Sequence, residues 1–291
     1  MGITRSALFA LATSERFETT VRRVPGGRAA AWRSASRYVA GRSPADALAV
    51  AERLLGGGHG VSIDLFGERV TDSRAADAVV TQYLELAARL PAHPADVWLS
   101  VDLSHLALST GAAAAADRLA HIAQAFPSGR RLQVGAEEAA QTDAILRCVL
   151  EVAGRGLSDR LGATIQANLV RSPADLERLA DAGVHIRLVK GAYVEAAGAL
   201  PYGEPTDIAF LRLAAALADR GVPWAAATHD GRLREALLLS GRSVAVEQLL
   251  GVRRDALGEL AARGISTRVY VPYGDDWFRY WMRRRAESRG A

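Results

Sequence analysis

From residue 61 onward the chain repeats one pattern. A short apolar run is followed by a longer stretch whose apolar positions recur three and four apart. The short runs fall at residues 61–66, 97–103, 131–135, 163–166, 184–189, 223–228, 243–248 and 265–271. Between them the helical spacing is clearest at 73–90, 111–125, 173–182 and 251–263, with a last helix from Asp275. Strands that alternate with helices pair in parallel. The runs read as nearly continuously apolar, as strands covered on both faces do. Eight strand–helix units predict an α/β fold, a closed (β/α)8 TIM-like barrel. The alternative is an open doubly wound sheet. No Gly-x-Gly-x-x-Gly follows a strand, which argues against a Rossmann-type dinucleotide site.

The residues before this repeat are helical and rich in arginine. Helices are predicted at 5–24, 28–39 and 44–55, broken by Pro25-Gly-Gly27 and Gly41-Arg-Ser-Pro44. Ser43 is a good N-cap, and Pro44 suits a first helical turn. Gly56-Gly-Gly58 ends the section. The expected organisation is an N-terminal helical segment, residues 1–58, packed on a barrel formed by residues 59–291.

Composition narrows the function classes. Hydrophobic residues make up 49% and aromatics 6%, so the core is mostly Ala, Leu and Val. The net charge of +4 is spread along the chain, and no basic tract is interleaved with aromatics. No nucleic-acid partner is expected. Cys148 is the one cysteine, which excludes an intramolecular disulfide and a cysteine-based zinc site. It lies in an apolar helical stretch and reads as a buried, inert thiol in a reducing compartment. Ser14, Glu15 and Arg16 interrupt the apolar run at 7–12, so no signal peptide is read there. No stretch is apolar enough to span a bilayer. A cytoplasmic protein is expected, and no metal site.

The candidate chemistry begins with Lys190, the only lysine beside 35 arginines. It closes the run Arg187-Leu-Val-Lys190, at the carboxyl end of a predicted strand, where barrels bind ligands. The other strand ends supply Asp64, Asp102, Glu137, Gln166, Arg187, Thr228-His229-Asp230, Glu247-Gln248 and Tyr270. Each taken singly is equally well an ordinary structural hydrogen-bonding group; together they converge on one mouth. On the last helix, Tyr280, Arg283, Arg284 and Glu287 share a face by i, i+3, i+4 and i+7 spacing. Two guanidiniums there form a clamp for a carboxylate or phosphate.

These residues resemble the motifs of the proline dehydrogenase family. Ile63-Asp-Leu-Phe-Gly-Glu68, Gln166-Ala-Asn-Leu-Val-Arg171, Arg187-Leu-Val-Lys-Gly-Ala-Tyr193, Ala227-Thr-His-Asp230, Glu247-Gln-Leu-Leu-Gly251, Tyr270-Val-Pro-Tyr-Gly274 and Tyr280-x-x-Arg-Arg-x-x-Glu287 occur in the family's order. The resemblance favours the small monofunctional bacterial form. It implies a barrel that holds FAD over its strand ends, with residues 59–291 as the catalytic domain. Ala136, Gln166, Arg187, Lys190, Gly191, Ala192, Thr228, His229 and Glu247 would bind the cofactor. Arg187 and Lys190 would be the catalytic pair, with Arg187 at the flavin N5 edge. Arg283 and Arg284 would clamp the substrate carboxylate, and Tyr270 and Tyr280 would pack on its ring. Glu68 would pair with Arg283 as a gate. Proline or a similar cyclic amino acid would lose a hydride to flavin N5 and become a cyclic imine. The electrons would pass to a membrane quinone or another acceptor. Arg283, Arg284, Arg285 and Arg289 would then favour peripheral contact with anionic lipid at the inner face of the membrane.

Two positions depart from the family pattern. A family lysine is replaced by Asp102, and a family aspartate by Gly135. Either Asp102 faces another cation such as Arg284, or the substrate differs and Asp102 faces an amine, a hydroxyl or a larger ring given room by Gly135. Two other classes stay open: a Schiff-base lyase using Lys190, and a flavin-binding homologue without turnover.

Overall fold

The computed structural model describes residues 26–287 except 68, 128, 192, 194, 196, 242 and 243, together with 19, 20 and 24. Two helices lead in, α1 (Gly27–Ala35) and α2 (Pro44–Gly56). Eight strands follow: β1 (Gly60–Leu65), β2 (Val97–Val101), β3 (Leu132–Val134), β4 (Leu161–Gln166), β5 (His185–Val189), β6 (Trp224–Ala227), β7 (Ala245–Leu249) and β8 (Thr267–Tyr273). Each pairs in parallel with the next, and β8 closes on β1. The intervening and final helices are α3 (Ser73–Ala87), α4 (Ala112–Gln124), α5 (Thr142–Val152), α6 (Ser172–Asp181), α7 (Glu204–Arg220), α8 (Gly231–Leu239), α9 (Arg254–Ala262) and α10 (Trp277–Glu287). The predicted (β/α)8 barrel is thus the observed fold. The helix expected at 5–24 falls almost wholly outside the described residues.

The strands differ from the expected apolar runs in one respect. Outward positions such as Ile63, Leu99, Val134, Ile186 and Val269 are apolar and fully buried against the helices. The alternate positions are polar and also buried, among them Ser62, Asp64, Ser100, Gln133, Gln166, Arg187, Glu247 and Arg268. Strand residues alternate between faces, so these fill the barrel interior. Ion pairing of Arg187 on β5 with Glu247 on β7 spans that interior. The usual packed layers of Val, Ile and Leu are replaced by a hydrogen-bonded polar core.

The amino-terminal end of the barrel is sealed. The Arg268 guanidinium lies 3.4 Å above the centre of the Trp98 ring, and His185 meets that ring edge-on at 5.3 Å. Arg268 Nη1 also donates to Val61 O at 2.8 Å and Asp96 O at 2.7 Å. With the floor closed, access is from the carboxyl-end mouth.

Among the described residues, the two helices that precede β1 pack on the barrel, as expected. In α2, Ser43 and Asp46 cap each other's backbone N–H groups, and Pro44 occupies the first turn. Ala47, Leu48, Val50 and Ala51 then enter the barrel's own core. α1 packs instead on α10: Ala31, Ala35 and Val39 join Trp277, Phe278, Tyr280, Trp281 and Met282 in a second apolar cluster. Trp281 Nε1 donates to Ser34 Oγ at 3.1 Å. The link from α1 back to the barrel needs Gly251, whose φ is 78° and whose missing Cβ would overlap the Arg37 carbonyl oxygen. Gly251→Ala is expected to destabilise the fold by about 1–3 kcal/mol, from left-handed strain and this clash together. A denaturant titration reads it directly; an unchanged midpoint would mean that α1 is not tied down here.

Candidate active site

Arg187 is the middle residue of β5, on the face that fills the barrel interior. Its Nε donates to Glu247 Oε2 at 2.5 Å, and Nη2 lies 3.5 Å from Ser62 Oγ. Both partners of the ion pair are almost fully buried, at 8% and 3% side-chain exposure. Losing either partner would strand the other's charge in a low-dielectric interior.

Lys190 is one residue beyond β5. Its ammonium pairs with Asp207 on α7 and lies 3.4 Å from Asp230 at the start of α8, with the Tyr202 ring 5.3 Å away. Burial opposes its charge, but Asp207, Asp230 and Tyr202 more than offset this, and the pKa rises above the ordinary lysine value. Asp230 caps α8 by accepting from Arg232 N and Leu233 N. Lys190 is therefore protonated, contrary to what imine formation requires of it. Gly191 has φ 120°, and the Asn168 side chain occupies the space its Cβ would take.

Beside Asp230, His229 Nε2 accepts a hydrogen bond from Leu249 N at 3.3 Å. Burial, followed by the charges of Arg284, Arg253 and Arg234, pushes its pKa to about 4. The ring is thus neutral, with its proton on Nδ1. That Nδ1 is shielded from solvent and has no acceptor among the described residues. Thr228 Oγ1 accepts from Asp230 N. Gln166 Nε2 donates to Glu137 O at 2.9 Å, while Glu137 Oε1 accepts from Ser104 N. The Ala136 carbonyl accepts from the Tyr193 hydroxyl at 3.4 Å.

An aromatic cluster joins β8, α10 and the segment after β1. Tyr280 on α10 stands 6.3 Å from Tyr270 and 5.1 Å from Phe66, ring centre to ring centre. The Arg284 guanidinium covers Tyr280 at 4.8 Å and is itself buried, while Arg283 is partly exposed. At the Tyr270 end, Asp64 hydrogen-bonds Tyr270 and Ser100. Burial pushes its carboxyl up to about 7, against these hydrogen bonds and the Arg187 charge.

Asp102 corrects one expectation. A Cβ on Gly135 would overlap Asp102 Oδ1 and lie 3.2 Å from its Cγ. The space opened by Gly135 is filled by the Asp102 carboxylate, so it does not accommodate a larger ring. The two departures from the family pattern are thus in direct contact.

The structure thus gathers Ala136, Gln166, Arg187, Lys190, Gly191, Thr228, His229, Glu247, Asp102, Tyr270, Tyr280, Arg283 and Arg284 around one mouth. Glu68 and Ala192 lie outside the described residues. Sequence reasoning missed Asp207 and Tyr202, which lie on or before a helix rather than at a strand end; the acidic first turn of α7 is their only signal. Cys148 is buried as expected, and burial pushes its thiol up to about 11.

The same burial sets a pH dependence. His105, His185 and His229 are pushed down to about 4, about 3 and about 4, in each case first by burial. Unfolding lets them take up protons below the free imidazole value of 6.5, so their contribution is complete above it and is lost as pH falls towards 4. Asp64 has the opposite sign. Its raised pKa adds stability at acid pH that is lost as pH climbs from 3.8 through about 7. Three groups outweigh one, and the unfolding midpoint is expected to drop between pH 6.5 and 4. Asp64→Asn should steepen that drop; a flatter curve in the variant would contradict the assignment.

A closed barrel with cations, carboxylates and tyrosines converging on its one open end defines a barrel enzyme with a site for a small charged molecule. The sequence profile of the family described as proline dehydrogenase matches residues 47–291. The chain belongs to the proline dehydrogenase family, a family of oxidoreductases. It is 32% identical over 269 residues to Proline dehydrogenase 1 of Bacillus subtilis subsp. natto, covering 87% of this chain and 86% of that one. It is 30% identical over 269 residues to Proline dehydrogenase of Deinococcus radiodurans, covering 88% and 87%. Among solved structures, proline utilization A (PutA) from Bdellovibrio bacteriovorus, inactivated by N-propargylglycine, superposes with a TM-score of 0.82 at 19% identity over 98% of this chain. PutA from Bradyrhizobium japonicum gives 0.71 at 24% over 93%. The chain spans 36% and 33% of these two solved chains, and the likeness to them concerns the fold.

Proposed function

We propose that the chain oxidises proline, or a closely similar cyclic secondary amino acid, to the cyclic imine, using FAD held at the barrel mouth. The observation that carries this reading is the buried Arg284 guanidinium, which lies over Tyr280 beside Tyr270. A guanidinium holds the substrate carboxylate, and two tyrosines hold the apolar ring. Arg283 completes the clamp, and Glu68 gates it.

The mouth fits a flavin. The shielded Nδ1–H of His229 offers a donor in search of an acceptor, and Arg187 and Lys190 supply positive charge. Ala136, Gln166, Arg187, Lys190, Gly191, Ala192, Thr228, His229 and Glu247 hold the cofactor. FAD supplies a hydride acceptor that no side chain can provide. Arg187, kept charged by Glu247, steadies negative charge that builds up beside it. The charged state of Lys190 argues against the Schiff-base alternative, and borohydride in the presence of carbonyl compounds should trap nothing on it.

Arg284→Met is expected to raise KM for L-proline by about 10–100-fold through the lost charged hydrogen bonds, with the flavin spectrum kept. An unchanged KM would remove Arg284 from the clamp. Electrons leave for a quinone or another acceptor, and peripheral membrane contact would bring the enzyme to it. Burial of Arg284 withdraws that residue from any lipid-facing role, which leaves such contact to the other arginines at the C-terminus. No helix among the described residues is long and apolar enough to cross a membrane.

A further inference from the structure

We infer that His105 is a positioning residue for substrate binding: its imidazole seats the backbone at Gly67 and, through Phe66, fixes Tyr280 beneath Arg284. The inference rests on the oxidation proposed above, which assigns Tyr280 and Arg284 to the substrate.

His105 lies in a short 3-10 turn, Leu103–Leu106, that leaves the carboxyl end of β2, and it is buried. Its backbone N–H donates to Asp102 O at 3.0 Å. An N–H of its ring donates to the carbonyl of Leu65, the last residue of β1. The ring edge then occupies the place of a side chain at residue 67. A Cβ on Gly67 would stand 2.0 Å from His105 Nε2 and 2.3 Å from Cε1. Only the absence of a side chain lets the backbone approach the ring this closely. The imidazole therefore touches both flanks of Phe66, Leu65 by a hydrogen bond and Gly67 by packing. Two backbone hydrogen bonds fasten the same segment. Phe66 N donates to Tyr273 O at 2.8 Å, and Val70 N donates to Ser104 O at 3.0 Å, in the turn that carries His105.

Held in this way, Phe66 meets Tyr280 with ring centres 5.1 Å apart and ring planes inclined at 49°. That separation lies within the range of favourable aromatic pairs. Tyr280 in turn lies 4.8 Å from the Arg284 guanidinium and 6.3 Å from Tyr270. The contacts form one line from the β2 turn to α10: His105, Gly67, Phe66, Tyr280, Arg284. The apolar cluster of α10 and α1 meets the barrel through Phe66 and Tyr270. Phe66 is thus a link between the barrel and the helix that carries the proposed clamp. Removing the imidazole leaves a hole beneath Gly67. The backbone settles into it and Phe66 withdraws from Tyr280. The residues assigned to the flavin on β5, and after β6, stand outside this line, so the effect falls on substrate binding.

Steady-state kinetics of the flavin-loaded protein with L-proline test the inference. His105→Ala should raise KM by about 3–10-fold, the worth of one aromatic contact, with kcat and the flavin spectrum unchanged. Phe66→Ala should raise KM similarly. Adding His105→Ala to it should raise KM no further, because His105 acts through Phe66. His105→Gln keeps a donor for the Leu65 carbonyl and should hold KM near the wild-type value. Gly67→Ala approaches the same contact from the other side. Its methyl group overlaps the ring and should raise KM, and combining it with His105→Ala should bring KM back. An unchanged KM in His105→Ala, even with a lowered denaturation midpoint, would make His105 merely structural and overturn the inference. Increases that multiply in the His105–Phe66 double variant would overturn it too, and either result leaves the oxidation standing. If His105→Ala does not fold, Gly67→Ala carries the test, and an unchanged KM there overturns the inference. A flavin-loaded wild type that no cyclic amino acid bleaches overturns the oxidation and this inference with it.

Discussion

Glu247→Ala is expected to lower the stability of the fold by about 3–5 kcal/mol, because it leaves the buried Arg187 guanidinium without its counter-charge. Arg187 and Glu247 sit at 8% and 3% exposure, joined at 2.5 Å across the barrel interior. No side chain nearby can replace the lost charge, since the neighbouring inward positions are Ser62, Thr164 and Ala225. Replacing both partners by apolar residues should recover much of the loss, as buried pairs often exchange neutrally for hydrocarbon. On the proposed reading activity would not return with it, because the double variant lacks the cation assigned to the flavin. Denaturant midpoints and proline-dependent bleaching of Glu247→Ala, Arg187→Met and the double variant separate the two effects. A double variant that is fully active would show that Arg187 serves only the fold.

The second large effect is at Gly135. Gly135→Ala places a methyl group where Asp102 Oδ1 now lies. Overpacking of this kind costs about 1–3 kcal/mol, and the carboxylate must be displaced from its present seat. In an Asp102→Ala background the same substitution meets open space and should be neutral, or slightly stabilising through loss of chain entropy in the unfolded state. The cycle should therefore be non-additive by about 1 kcal/mol or more, within the range seen for residues in contact. Additive costs would mean that the Asp102 carboxylate does not fill the space beside Gly135.

How far the sequence reveals this molecule depends on whether a feature is periodic or pairwise. The eight strand–helix units are periodic, and their order and closure follow from counting them. Strand-end residues such as Asp64, Gln166, Arg187 and Tyr270 inherit a location from that count, so the mouth could be composed before the fold was seen. Partners could not. Glu247 and Arg187 are 60 residues apart, and only the closed barrel sets them face to face. Asp207 lies on a helix, outside any strand-end rule. The polar interior was hidden by averaging: runs such as Leu161–Gln166 carry Thr164 and Gln166 on one face and Ala163 and Ile165 on the other. At Gly135, a missing side chain suggested empty space, and a neighbour's side chain occupies it.

The most direct test of the account is the visible spectrum of the purified, FAD-supplemented protein, recorded anaerobically before and after L-proline. The account predicts a yellow protein that bleaches as proline is oxidised. A colourless protein that takes up no FAD would contradict it, and would leave the mouth around Arg187 and Lys190 without the cofactor assigned to it.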